Sequence, residues 1–102
     1  MILYNMTVNI DTDISIEWMD AMKNKYIPNL LKSDLVKDQK FYRLLTEAEG
    51  NGETYSLQLF FESMKDFETY EHELFNPQLE QIYSQFQGKF VEFRSILASV
   101  QP

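Results

Sequence analysis

Few side chains in this sequence are equipped for chemistry. His72 is the only histidine, so any imidazole-based acid–base step would depend on it. Counting 100° per residue from Phe67, Tyr70 and Leu74 puts it almost opposite the apolar stripe of its helix, among glutamates, where it is read as solvated. Glu71 and Glu73 point elsewhere around that helix, and Glu68, four residues back, is the one carboxylate at pairing distance. One imidazole and one carboxylate are too few to hold a metal, and the chain has no cysteine. Paired carboxylates for acid–base work would have to be Glu62 and Glu92, both more simply read as partners of Arg43 and Arg94. Gly50 and Gly52 sit in a turn and open no helix, so no phosphate loop or dinucleotide fingerprint is present, and no nucleophile elbow. What remains is aromatic. Trp18, Tyr26 and Tyr70 could line a cleft between helix and sheet, although rings at helical spacing are the ordinary contents of a core.

The elements that must position these residues follow from periodicity. Ile2 to Ile10 alternates, with Ile2, Tyr4, Met6, Val8 and Ile10 on one side, and predicts a strand. Asp11-Thr12-Asp13 ends it, and Asp13 or Ser15 is placed to cap a helix from Ile16. Ile16, Met19, Met22, Tyr26 and Leu30 form that helix's stripe, with Trp18 on its edge, and Pro28 predicts a kink or a restart. Leu35 to Leu45 reads as a second strand, strongest at Phe41-Tyr42-Arg43-Leu44-Leu45. Glu49-Gly50-Asn51-Gly52-Glu53 is a hairpin turn, and Thr54 to Glu62 is the third strand. Ser63 caps a long helix with the stripe Phe67, Tyr70, Leu74, Ile82 and Phe86, interrupted at Asn76-Pro77 and ended by Gly88. Phe90 to Val100 is the last strand. The order β-α-β-β-α-β with right-handed crossovers gives an α+β, ferredoxin-like domain spanning residues 1–102: a four-stranded antiparallel sheet with two helices on one face.

Composition narrows the partners. The 102 residues carry a net charge of −7, which argues against nucleic acid and anionic lipid. No basic segment or long apolar run opens the chain, so neither a signal peptide nor a membrane anchor is expected, and the cytoplasm is the default location. Aromatic residues make up 15% of the chain, high for so small a core, which suggests apolar surface shared between subunits. The strand faces point the same way. Tyr4, Met6, Val8, Leu44, Leu57, Leu59, Phe61, Val91 and Phe93 read as the face under the helices. The other face mixes Leu3, Asn5, Thr7, Phe41, Arg43, Ser56, Gln58, Phe60, Phe90, Glu92 and Arg94. Phenylalanines among paired charges suit a second sheet packed against them, so a homodimer is expected through this mixed face.

Ile2 to Ile10, Trp18 and Met22, Ile27-Pro28, Arg43-Leu44-Leu45, Glu62-Ser63-Met64 and Phe90-Val91-Glu92-Phe93-Arg94 together resemble a family of short bacterial proteins of unknown function within the dimeric α+β barrel superfamily. The resemblance spans nearly the whole chain and speaks for fold more than for activity. A histidine often precedes the Ile-Pro pair in that family. Tyr26 stands there here, which removes a possible general base. Related barrels use a helix–sheet cleft for aromatic substrates, sometimes oxidising them without a cofactor. Two readings follow. One is a homodimeric barrel that binds a small ligand or simply assembles, without chemistry. The other is a cofactor-independent monooxygenase- or isomerase-type enzyme in which Asn5 or Asn9, Trp18 and Arg43 position an aromatic substrate. The first is favoured, because no activated acid, base or nucleophile is visible, and neither reading calls for a cofactor.

Overall fold

A computed structural model describes residues 1–46 and 52–100. Strand β1 (Ile2–Ile10) is central and pairs antiparallel with β3 (Glu53–Phe61) on one side and β4 (Phe90–Ala98) on the other; β2 (Asp38–Arg43) pairs with β3 at the far edge. The sheet order β2-β3-β1-β4, with two interrupted helices packed on one face, is the ferredoxin-like α+β arrangement. Of the expected hairpin turn, residues 49–51 lie outside the described residues; Gly52 and Glu53 lie within them, and Glu53 already belongs to β3.

Both helices contain a wide turn with the same cause. α1 (Ser15–Ala21) runs through a π-turn (Met22–Tyr26) into α2 (Ile27–Leu30), and α3 (Met64–Tyr70) runs through a π-turn (Glu71–Phe75) into α4 (Asn76–Gln85). Each π-turn ends where a proline follows, Pro28 or Pro77. Proline has no N–H to donate, and its ring pushes on the preceding turn, so the backbone widens: Ile27 N–H reaches back to Met22 O and Asn76 N–H to Glu71 O. The restart expected at each proline is therefore present. The extra residue also shifts the stripe. In the second helix Phe75, not Leu74, is fully buried between Tyr70 and Leu79.

The first helix corrects two expectations. A 3₁₀ turn at Thr12–Ile14 precedes α1, whose N-terminus has no side-chain cap; the Ser15 hydroxyl donates to Glu53 instead. That turn buries Ile14 and so sets the phase of the helix. Trp18, Ala21, Met22, Tyr26 and Leu30 face the sheet, while Ile16 is 89% exposed. The cap on the second helix is as expected, with Asp66 N–H donating to Ser63 Oγ at 3.1 Å.

The sheet corrects a third. β1 and β3 alternate as expected, but β4 and β2 are turned over. Asp11 N–H bonds Lys89 O, and Phe90 pairs with Ile10, so Phe90, Glu92, Arg94 and Ile96 lie on the helix side. Val91, Phe93 and Leu97 point to the open side, 69%, 63% and 50% exposed. Phe41 pairs with Leu57, which puts Gln39, Phe41 and Arg43 under the helices, and Leu44 lies beyond the strand end. Alternation alone would put the apolar side of β4 in the subunit's own core. The helices leave that edge incompletely covered, so charged groups are tolerated on their side and the apolar row faces out.

Gly52 fixes how β3 meets β1. Its φ is +77°, and a Cβ there would clash with the carbonyl oxygen of Ile10. Gly88 has φ +76° with nothing near. Gly52→Ala should therefore cost about 2 kcal/mol and Gly88→Ala about 1, from left-handed strain alone in the second case. Equal shifts of the two midpoints in urea unfolding would contradict this.

Candidate functional site

Two clusters sit on the helix side, at opposite ends of the sheet. Tyr4 on β1 and Tyr55 on β3 occupy corresponding positions in the two halves, and each faces an arginine from the neighbouring edge strand. The Tyr4 hydroxyl donates to Glu71 Oε2 at 2.7 Å and accepts from Arg94 Nη1 at 3.1 Å. Arg94 also lies 3.3 Å from Glu92 Oε2 through Nε and 3.9 Å from Glu71 Oε2. The Tyr83 hydroxyl donates to Glu92 Oε1 at 2.8 Å, and its ring packs on Phe90. Glu71 opens the second π-turn, so the proline-driven widening is part of what brings this carboxylate to the sheet.

Burial, reinforced by the bond to Glu71, pushes the Tyr4 phenol well above its usual range despite Arg94. Its proton stays on the oxygen and is aimed at Glu71. Tyr4 thus acts as a fixed donor and not as a base. The hydrogen bond to Glu92, together with burial, likewise raises the Tyr83 phenol. Two adjoining cavities of about 330 and 490 Å³ open beside this cluster and share Glu71 and Arg94.

The second cluster is closed on itself. Glu53 Oε1 accepts from Tyr55 at 2.8 Å and Ser15 at 2.9 Å, and Arg43 Nη1 lies 3.8 Å away. The Tyr55 bond, helped by Ser15 and Arg43 and opposed by burial, holds this carboxyl below the usual carboxylate range. Glu53 is only 8% exposed, and three protein groups converge on its Oε1. The 420 Å³ depression beside it is bordered mainly by outward residues of α1 and the π-turn after it.

The five residues expected at a ligand site do not converge. Trp18, Tyr26 and Tyr70 are at most 1% exposed, and they divide between two lobes of the core. Trp18 packs on Tyr55 and Phe41. Tyr26 ties its helix to α4 through Gln85 Oε1 at 2.6 Å, and Tyr70 donates to Leu30 O at 2.7 Å, where the first helix ends. Both phenols are helix-to-helix ties. Asn5 lies on the open face, bonded to Thr7 and Ser56, and Arg43 belongs to the Glu53 cluster. Arg43 therefore pairs with Glu53 and not Glu62, whereas the Glu92–Arg94 pairing is present, on the other face from the one expected. His72 is exposed, as its position predicts. Among the described residues no group of three or more His, Cys, Asp or Glu is placed to hold a metal.

The family profile described as Domain of unknown function (DUF4286) matches residues 1–100. The chain belongs to the DUF4286 family. No curated protein matches it in sequence. Solved structures of the same fold include a dimeric ferredoxin-like protein from an uncultured marine organism, at TM-score 0.71 and 13% identity, covering 99% of this chain and 96% of that one. A mutant of SnoaB, a cofactor-independent oxygenase from Streptomyces nogalater, aligns at TM-score 0.70 and 7% identity over 99% and 94% of the two chains. An ethyl tert-butyl ether d (ethd) family protein from Bacillus halodurans aligns at 0.72 and 8% over 93% and 97%. At these identities the likeness is one of fold. No helix of the described residues is long and apolar enough to cross a membrane.

Proposed function

We infer that this DUF4286 protein is a homodimeric α+β barrel that binds a small molecule without transforming it, its two sheets packed through their open faces. The open face carries the inference. Val91, Phe93 and Leu97 form an exposed apolar row on β4, and the polar side chains beside them bond one another: Asn5 bonds Thr7 and Ser56, Gln58 bonds Ser56, and Asn9 bonds Thr54. Polar groups that bond one another can be covered at little cost, and exposed apolar side chains gain from cover. The charges expected on this face, Arg43, Glu92 and Arg94, lie on the other one, which makes the surface better suited to burial. A dimeric relative of the same fold supports the arrangement.

A binding role is favoured over catalysis because the groove beside Tyr4 presents groups that are tied to one another. The phenol keeps its proton, and the two carboxylates accept from Tyr4 and Tyr83, with Arg94 beside both but hydrogen-bonded to neither. Light scattering should give twice the 12.2 kDa chain mass. Phe93→Asp should raise the dimer dissociation constant at least about tenfold, whereas Ile16→Asp, on the exposed side of α1, should leave it unchanged. A monomeric parent, or equal effects of the two substitutions, would overturn the reading.

A further inference from the structure

We propose that the groove between α4 and β4 takes a small organic amine, a ligand class set by its charge; this rests on the ligand-binding reading above and deepens it. The 490 Å³ cavity is lined by Glu71, Asn76, Leu79, Glu80, Tyr83 and Arg94, and the adjoining one adds Glu92. Three carboxylates therefore share one guanidinium, which is already engaged by Tyr4, Glu71 and Glu92. An entering carboxylate or phosphate would meet excess negative charge, while an ammonium meets carboxylates that Arg94 alone does not neutralise.

A second observation points the same way. The Glu92 side chain is only 7% exposed, and its Oε2 accepts no hydrogen bond, since Arg94 Nε lies 3.3 Å away but off the N–H axis. Arg94 straddles two acids and aligns with neither, its distance to Glu71 being 3.9 Å. An ammonium that took over Glu71 would free the guanidinium to turn onto Glu92 and complete that bond. The walls suit a cation on a short apolar body. Leu79 supplies apolar surface, and the Tyr83 ring, held by Glu92 and Phe90, forms part of the wall.

The test is titration calorimetry with tyramine and 1,5-diaminopentane, against 3-(4-hydroxyphenyl)propionate, which carries the opposite charge on the skeleton of tyramine. Amide shifts at Asn76, Glu80 and Arg94 would locate the binding. At least one amine should bind with those shifts, and the acid should not. Glu71→Gln keeps an acceptor for Tyr4 and should weaken amine binding about tenfold. Glu80→Gln, at an exposed position that cannot disturb folding, should weaken it severalfold, and Asp20→Asn on the first helix should not. Equal losses in all three variants would reduce the effect to overall charge and overturn the proposal. Binding of the acid at the same amides would also overturn it while leaving the ligand-binding reading intact. Absence of binding by every probe, with dimer mass retained, would overturn the amine site and leave assembly standing.

Discussion

Trp18→Ala should lower the unfolding free energy by about 3–5 kcal/mol, the range for removing a fully buried aromatic side chain, while Ile16→Ala should change it by less than about 0.5. Trp18 is 1% exposed and packs on Tyr55 with ring centroids 4.8 Å apart and on Phe41 at 6.1 Å. The neighbours that would have to collapse into the gap come from two strands and the first helix, so the cavity would stay largely open. One term works against the tryptophan. Its Nε1 is buried without a hydrogen-bond partner, and an orphan donor gives back part of the gain from burying the ring. Trp18→Phe should accordingly cost much less than the alanine variant, since it keeps most of the ring contact and discards the unsatisfied donor. Urea unfolding of the three variants gives the comparison. An Ile16 variant as unstable as Trp18→Ala would restore the stripe that periodicity alone suggests.

That stripe shows where the sequence was legible and where it was not. Strict alternation placed β1 and β3 correctly, because both are flanked by strands and covered by helices, leaving one apolar side each. It misplaced β4 and β2, because on an edge strand the apolar side can face a partner and not the subunit's own core. Val91 and Phe93 look like core residues and are 69% and 63% exposed. Helical spacing found Tyr26, Leu30, Phe67 and Tyr70. It missed the centrality of Trp18, whose phase depends on a 3₁₀ turn, and of Phe75, whose phase depends on a π-turn. The groove beside Tyr4 had no linear signature at all. Tyr4, Glu71 and Arg94 are brought together by three separate elements, and the only local hint was Pro77, which widens the helix turn that begins at Glu71.

The Glu53 cluster, read from the sequence as part of a turn, carries the second large effect. Glu53→Ala should cost roughly 2–3 kcal/mol by stranding the Tyr55 hydroxyl and the Ser15 hydroxyl and leaving Arg43 without its partner. The figure sits below that for a deeply buried ion pair because Glu53, although covered by its partners, lies near the protein surface and Arg43 is half exposed. Glu53→Gln separates shape from charge. The amide can still accept from both hydroxyls, so near neutral pH it should lose less than alanine does. The pH dependence follows from the direction of the shift. The folded carboxyl titrates below its unfolded value of about 4.3, so its stabilising charge is fully present above that pH and is lost as pH falls through the lower, folded value. The parent should therefore lose stability relative to Glu53→Gln as pH falls below about 5, and the gap between the two should be constant from about pH 5 to 7. Urea midpoints of both proteins across that range measure the gap directly. One that widened on acidification would mean that the carboxyl is held protonated in the fold, and the donors assigned to Tyr55 and Ser15 would have to be reversed.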